Sequence, residues 1–344
     1  MPAAQTRLPR RALLAAAPAL AMPLGARSLA AQTGVTGPGG APYPHKPVTI
    51  VAPFSAGGAA DIAARILAAH AGRYLPNPAA TMVVENRTGA SGAVGTQYVQ
   101  RARPDGQTLL LARIASAAIL PATDPRTPYG WDEFTMLGLL DENPYVIAVR
   151  ADAPWRTLRE LVTALRERPG ALNFATTGPA TILDLGVRQL FAATGLPLDA
   201  GLAVPFRGGG EAVAAVLGGQ AQFIGNNLSD TIAALAGGQL RALVVGTAER
   251  LPALPGVPTA TEAEVPDLAQ VTGWNALFGP PALPEAVVDA WTRALAALGS
   301  DQGWLAATQR VGSIPRLLGP VETRAFVAEQ VALYRDLARR LGLN

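Results

Sequence analysis

The spacing of hydrophobic positions along this chain changes repeatedly between a strand pattern and a helix pattern. This predicts a regular succession of strands and helices. Short β-branched runs such as Val48–Ala52 are bounded by glycine, proline or polar residues, as buried strands usually are. Longer stretches between them place apolar residues at helical spacing, most clearly in residues 321–341. Because helices that connect parallel strands produce this order, we expect an α/β fold built on parallel strands.

The other elements are predicted by the same reasoning. Strands are expected at residues 81–85, 108–112, 145–149, 173–175, 203–206, 222–224 and 242–245. Helices are expected after Pro53 through Tyr74, near 94–101, up to 169–170, and at 182–193, 211–217, 286–298 and 321–341. The order of strands and helices therefore predicts two α/β sets.

The length and composition are those of a globular protein with two domains. The chain has 344 residues, of which 49% are hydrophobic and 15% charged, a balance that excludes a disordered protein. Residues 1–30 contain four arginines and no acid, and without them 24 basic residues oppose 25 acidic ones, a net charge of −1. The formal charge of +3 therefore gives no reason to expect nucleic-acid binding.

The first thirty residues have the order of an export signal. A basic start with twin arginines at positions 10 and 11 precedes the apolar segment 12–24, and Ser28 and Ala30 fit a cleavage site before Ala31. We expect residues 1–30 to direct export by the Sec or the twin-arginine route, and the mature protein to be periplasmic. Glycine and proline then predict that residues 31–45 form a flexible linker.

A glycine-containing loop follows the first predicted strand. It contains Phe54, Ser55, Ala56, Gly57 and Gly58, and Asp61 lies in the first turn of the next helix. Backbone N–H groups at a helix start lack intrahelical partners and lie at the positive end of the helix dipole, so they suit a small anion. No lysine follows the glycines, which excludes a nucleotide-hydrolase phosphate loop. The alternative interpretation is that the loop is a simple tight turn without a ligand. Asp61 either stabilises the helix start or contacts a ligand, which would require an amine on the ligand or a bridging water.

Two further loops end predicted strands of the second α/β set. One contains Thr176, Thr177, Gly178 and Thr181, and the other contains Arg207, Gly208 and Gly209. Ligands of open α/β sheets bind beyond the carboxyl ends of the strands, so both loops are expected to face a binding cleft. The threonine hydroxyls either contact a ligand or cap a helix, and Arg207 either pairs with a carboxylate or lies on the surface.

Residue types for catalysis or metal binding are scarce in the sequence. Cysteine is absent, and neither His45 nor His70 has metal-binding neighbours at suitable spacing, so we expect no catalytic residue, metal or cofactor. Ser91 lies in a glycine-rich segment whose spacing matches neither a dinucleotide loop nor a nucleophile elbow. A secreted hydrolase using Ser55 or Ser91 and a protein-binding envelope module are the alternatives to a binding protein for small solutes.

Motifs along residues 44–344 resemble those of the Bug-type extracytoplasmic solute receptors, the binding components of tripartite tricarboxylate transporters. They lie at residues 53–58 with Asp61 and Arg65, and at 84–89, 104–109, 172–178, 204–210, 250–259 and 274–281. Their order and spacing over the whole chain carry the resemblance, since each motif alone is weak. Gly225 and Asn226 depart from the Phe-Asp pair of the family, so we expect the Asn226 side of the site to influence which ligand binds.

This resemblance implies a two-lobed periplasmic-binding-protein fold of the Venus-flytrap, type II-like kind with two mixed sheets. The first lobe would comprise residues 46–143 and 271–344, and the second lobe would comprise residues 144–270. A small carboxylate-like ligand would be bound between lobes that close by a hinge motion. The implied partners are this ligand and the membrane subunits of a tripartite tricarboxylate transporter, or a sensor kinase, with no nucleic acid and a monomeric protein.

Overall fold

The computed structural model describes residues 42–179 and 181–342. The predicted export signal, residues 1–30, and most of the predicted linker lie outside the described residues. The packed structure already includes Tyr43, which is buried and precedes the predicted start of the first lobe. The Tyr43 hydroxyl donates a hydrogen bond to Gly106 O and accepts one from Trp291 Nε1, each at 2.8 Å. None of the helices in the described residues is long and apolar enough to span a membrane.

Ten strands and ten α-helices make up the described part of the chain. The strands are β1 Val48–Ala52, β2 Met82–Asn86, β3 Thr108–Arg113, β4 Thr135–Arg150, β5 Leu172–Thr176, β6 Gly201–Pro205, β7 Phe223–Asn227, β8 Leu240–Val245, β9 Thr272–Gly279 and β10 Ile314–Leu318. The helices are α1 Ala59–His70, α2 Ala93–Gln100, α3 Leu120–Thr123, α4 Leu158–Glu167, α5 Ile182–Ala193, α6 Gly209–Leu217, α7 Leu228–Ala236, α8 Glu285–Leu298, α9 Gln302–Arg310 and α10 Pro320–Arg340. The π-helical turn Ala115–Ile119 and three short 3₁₀ turns, Ala71–Tyr74, Ala90–Gly92 and Pro266–Gln270, complete the list.

The long strand β4 belongs to two sheets. Its first part, up to Pro144, pairs antiparallel with β9 and β10, in a sheet ordered β2-β1-β3-β9-β4-β10. Its second part, from Tyr145, pairs antiparallel with β7 and β8, in a sheet ordered β6-β5-β7-β4-β8. The β1–β3 and β5–β7 groups are internally parallel, so both sheets are mixed. This arrangement confirms the predicted α/β, two-lobed fold with two mixed sheets.

The chain passes between the sheets at two points. β4 changes partners between Pro144 and Tyr145, and β9 returns to the first sheet at Thr272, after the turn Pro266–Gln270. We propose that these two points divide the lobes. The first lobe then carries β1, β2, β3, β9 and β10, and the second carries β5 to β8.

The sequence pattern underestimated two strands. β4 was predicted only at residues 145–149, although it is 16 residues long and almost entirely buried. β10 was not predicted, because it is half-exposed, contains Pro315 and lacks a β-branched run. Proline is tolerated there because β10 is an edge strand, paired only with β4.

Candidate functional site

The two lobes meet around a small cavity. Its volume is about 30 Å³, enough for about one water molecule. Its first-lobe residues are Phe54, Gly58, Ala59, Ala60, Arg113, Ile114 and Ala115. Its second-lobe residues are Thr177, Thr181, Ile182, Leu183, Gly209, Asn227 and Asp230. The lobes therefore lie closed on one another, and the cavity is their shared lining.

The start of helix α1 forms one wall of this cavity. Gly57 adopts a left-handed backbone with φ of 78°, and the extended Gly58 precedes the first helical residue, Ala59. The Ala59 N–H donates a 2.6 Å hydrogen bond to Asp230 Oδ1, a carboxylate of the other lobe. Gly57 brings the chain into this turn, because glycine adopts positive φ without steric cost. The helix start that was predicted to bind an anion is thus bonded to a carboxylate of the protein itself, and ligand binding there stays a prediction.

The Asp61 side chain is bonded to the glycine loop and to helix α1, and it does not line the cavity. Its Oδ2 accepts hydrogen bonds from the Gly57 N–H at 3.0 Å and from Arg65 Nε at 2.9 Å. Burial raises the pKa of Asp61, but the hydrogen bonds from Arg65 and Gly57 outweigh burial and hold this pKa below its ordinary value. Of the two roles predicted for Asp61, the contacts favour stabilisation of the helix start.

The glycine loop of the second lobe contacts the first-lobe loop at very short range. A Cβ placed on Gly208 would overlap Ser55 Oγ, and a Cβ on Gly210 would lie 3.2 Å from Gly57 O. A Cβ on Gly209 would overlap the Asp230 carboxylate of the same lobe. Gly208 and Gly210 therefore let the two backbones approach, and this approach brings the lobes together.

The threonine loop contributes two hydroxyls to the cavity lining. Thr177 and Thr181 line the cavity, whereas Thr176 is buried beside it. Thr181 Oγ1 donates to Gly178 O at 2.8 Å, and Thr176 Oγ1 to the same oxygen at 3.3 Å. Gly178 has φ of 110°, so the loop depends on a glycine there. Thr181 precedes α5, and its side chain is bonded to the loop carbonyl of Gly178 and does not cap the helix.

Several predicted contact residues lie away from the cavity. The Arg207 side chain is exposed, and its backbone N–H donates to Glu211 Oε2 at 3.2 Å. Asn226 is fully buried, with its Nδ2 donating to Gly209 O at 3.2 Å, so it supports the glycine loop from behind. Ser55 and Ala56 do not line the cavity, and the buried Ser55 Oγ has no hydrogen-bond partner among residues 42–179 and 181–342.

Three polar residues of the cavity were not predicted from the sequence. Arg113 ends β3 and is 4% exposed, with Nη1 donating to Asn275 Oδ1 at 2.7 Å. Asn227 ends β7, and Asp230 lies in the first turn of α7, where Asn227 Nδ2 approaches its Oδ2 at 3.4 Å. An arginine directly after an apolar strand, and an acid three residues after another strand, are the sequence signals that could have indicated them.

The cavity charges are strongly affected by burial. Burial lowers the pKa of Arg113, while the nearby carboxylates Asp230 and Asp141 oppose this effect. Burial likewise raises the pKa of Asp230, against the attraction of Arg113. Behind Arg113, burial raises the pKa of Asp141 to about 7, although Asn275 Nδ2 donates to it at 2.7 Å. The cavity thus contains opposite charges in a poorly solvated setting, where interactions with a charged ligand are strong.

The site has the chemistry of binding. Ser91 Oγ donates to Pro179 O at 3.0 Å, a contact between the lobes, and in the part of the chain that the structure describes no base is bonded to it. Within residues 42–179 and 181–342, no group of three or more histidine, aspartate or glutamate side chains is placed to hold a metal ion. Backbone N–H groups, two hydroxyls, an amide and two charged side chains can orient a small polar molecule.

Comparison with known sequences gives consistent matches over most of the chain. Residues 63–342 match the tripartite tricarboxylate transporter family receptor. The UPF0065 protein encoded in the tcbD-tcbE intergenic region of Pseudomonas sp. strain P51 is 33% identical, over 72% of this chain and 72% of its own. Protein BugT of Bordetella pertussis is 27% identical, over 87% of this chain and 90% of its own.

Solved structures give the same picture for the fold. MatC from Rhodopseudomonas palustris, with bound malate, has a TM-score of 0.78 and 29% identity, covering 86% of this chain and 99% of its own. R. palustris Rpa4515, with adipate, has a TM-score of 0.81 and 26% identity, covering 87% of this chain and 98% of its own.

Proposed function

Since the chain belongs to the tripartite tricarboxylate transporter receptor family, we propose that it captures one small carboxylate between its two lobes. It is a solute-binding protein of the Bug type, and the similar R. palustris proteins carry malate and adipate. The proposed site comprises the α1 start with Phe54, Gly58 and Ala59, together with Thr177 and Thr181. Binding without turnover is part of this proposal.

The observation that carries the proposal is the bond between Ala59 N and Asp230 Oδ1. This bond of 2.6 Å supports the proposal, because in it the Ala59 N–H at the α1 start donates to a carboxylate of the protein itself. A helix start favours an anion through its free N–H groups and its dipole. A ligand carboxylate could take the same place once the lobes separate, because Ala59 and Asp230 belong to different lobes.

Capture by lobe closure fits the size of the cavity. A volume of about 30 Å³ does not admit a dicarboxylate, so the lobes must open before a ligand enters. Closure over the ligand would then replace the contact between Asp230 and α1. We further propose that the protein is exported to the periplasm as a monomer and delivers its ligand to the membrane subunits of a tripartite tricarboxylate transporter or to a sensor kinase.

Isothermal titration and thermal unfolding with malate, adipate, citrate, glutamate and nicotinate test this function. A ligand present at 100 times its Kd should raise the free energy of unfolding by about 2.7 kcal/mol. The substitution Thr177→Val should weaken binding by up to about tenfold, the effect of one lost hydrogen bond. The matched control Thr261→Val changes an exposed threonine of the second lobe and should bind like the wild type.

Two results would contradict the proposal. One is the absence of binding to every compound of the panel by a folded protein. The other is hydrolysis of a chromogenic ester that is lost in Ser55→Ala or Ser91→Ala, which would favour the hydrolase instead. A stable protein partner in pull-down experiments, with no compaction by any compound in small-angle scattering, would favour the envelope module.

A further inference from the structure

The cleft carries one charge of each sign, and the two charges come from different lobes. Arg113 belongs to the first lobe and Asp230 to the second, and both line the same cavity. Each lowers the energetic cost of burying the other, as their mutual effects on pKa indicate. Among the described residues, however, no ion pair of 4 Å or less joins them. The cavity therefore separates two opposite charges that a ligand could connect.

Among the described residues, neither Arg113 nor Asp230 has all of its side-chain hydrogen-bonding capacity used. The Arg113 guanidinium has five N–H donors, and its side-chain hydrogen bond is the one to Asn275 Oδ1. Asp230 is bonded to the Ala59 N–H and, more weakly, to Asn227 Nδ2. Within the described residues, Asn227 Oδ1 is buried against Gly273 without a hydrogen-bond partner, so it is the Asn227 amide nitrogen that approaches Asp230. The first lobe thus offers donors, and the second lobe offers acceptors.

The opposite charges of Arg113 and Asp230 determine which class of ligand is favoured in the cleft. A ligand that carries only carboxylates would gain Arg113 and the α1 start, but it would place a further negative charge beside Asp230. A buried charge without a partner is costly. A ligand that carries a cationic nitrogen as well as a carboxylate would present an opposite charge to both Arg113 and Asp230, and its nitrogen would offset the charge of one carboxylate.

We propose that the ligand is zwitterionic, with its carboxylate at Arg113 and the α1 start and its cationic nitrogen at Asp230. This inference rests on the proposed function and names the ligand class of the same site. In the ligand-free closed protein, Asp230 occupies the position of the ligand carboxylate. When the lobes open, Asp230 leaves α1 with the second lobe and becomes the acceptor for the ligand nitrogen.

Matched ligand pairs on the wild-type protein test this proposal without any variant. The pairs are L-aspartate with succinate, L-glutamate with glutarate and 4-aminobutyrate with butyrate, each measured by isothermal titration. We expect the nitrogen-containing member of at least one pair to bind tenfold or more tightly than its partner. Succinate, glutarate or butyrate binding as tightly as, or more tightly than, its nitrogen-containing analogue in all pairs would overturn the inference while leaving the receptor function intact. Binding of malate, adipate or citrate without binding of any nitrogen-containing member would likewise overturn the inference, whereas no binding of any compound in either set would contradict the proposed function.

Two variants identify the residues responsible. Asp230→Asn keeps an oxygen for the Ala59 N–H, and it should lower affinity for the zwitterion at least tenfold while raising affinity for its carboxylate-only analogue. Arg113→Lys should weaken both members of the pair, and it retains a cation near Asp141. The control Asp199→Asn removes an exposed acid of the second lobe and should change neither. A folded Asp230→Asn protein with unchanged preference would refute the role of Asp230, and if that variant does not fold, the ligand pairs alone decide.

Discussion

A methyl group added at Gly208 should act as a wedge against lobe closure. The backbone of Gly208 is extended, with φ of −170°, so alanine fits it without strain. The added Cβ would overlap Ser55 Oγ and lie 3.2 Å from both Ser55 Cβ and Ser55 N, closer than the 3.4 Å at which ordinary contact begins. Because Ser55 and Gly208 lie in different lobes, opening the cleft removes the clash. The substitution therefore penalises the closed state and leaves each lobe intact.

The size of the effect follows from the cost of overpacking. Inserting a methyl group into close-packed surroundings costs about 1–3 kcal/mol. Since 1.4 kcal/mol corresponds to a factor of ten, Gly208→Ala should weaken ligand binding by about 5-fold to about 150-fold. Isothermal titration with the tightest ligand of the panel measures the affinity, and small-angle scattering measures the compaction that the ligand causes. Gly256→Ala is the matched control, because a Cβ on Gly256 would have no atom within 4 Å.

A second substitution tests the cause. Ser55→Ala removes the hydroxyl that the new methyl group would overlap, so the double variant should recover part of the lost affinity. Gly208→Ala with wild-type affinity and wild-type compaction would refute the reasoning, since the liganded protein would then close without bringing Gly208 against Ser55.

Three further predictions concern pH and the contacts between distant segments. The pKa of Asp141, raised from 3.8 to about 7 by burial, means that the folded protein holds a proton that the unfolded chain releases near pH 4. The contribution of Asp141 to stability is therefore complete below about pH 4 and is lost as pH rises toward 7, by roughly 4 kcal/mol at most. Relative to wild type, Asp141→Asn should gain stability between pH 4 and 8 in urea unfolding, and a constant difference would contradict this. Ser91→Ala removes the bond to Pro179 O and should weaken ligand binding about two- to tenfold in titration, with wild-type affinity as the contradicting result. Tyr43→Phe leaves Trp291 Nε1 and Gly106 O unpaired and should lower the free energy of unfolding by about 1–3 kcal/mol, whereas an unchanged value would show that this hydroxyl is dispensable.

Local sequence rules predicted the elements that depend on neighbouring residues. The period of the apolar positions gave β1, α1 and α10 within a few residues, because strand and helix periods are properties of short segments. The same rules missed β10, whose exposed residues and Pro315 are acceptable only because β4 supplies its single neighbour. They also shortened β4, since a strand shared by two sheets is buried over a length that no short window anticipates.

The candidate site was likewise predicted from the sequence only in part. The α1 start was predicted as an anion-binding turn; in the structure its Ala59 N–H donates to Asp230 Oδ1, and ligand binding there stays a prediction. Thr177 and Thr181 line the cavity as expected for loops at the carboxyl ends of strands, whereas Arg207 points to solvent although it lies in a similar loop. A loop position can be inferred from the sequence, but the direction of a long side chain depends on the packing around it.

The sequence by itself determined the α/β class, the two-lobed family fold and the glycine turn before α1, because periodicity, glycine placement and motif order are properties of consecutive residues. Only the tertiary structure decided that Asp230 occupies this turn and that Arg113 lies on the same cavity. Ala59 and Asp230 are 171 residues apart in the chain, and their hydrogen bond forms only where the two lobes close. No local pattern encodes such a meeting, since it depends on the strand order that brings both segments to one cleft.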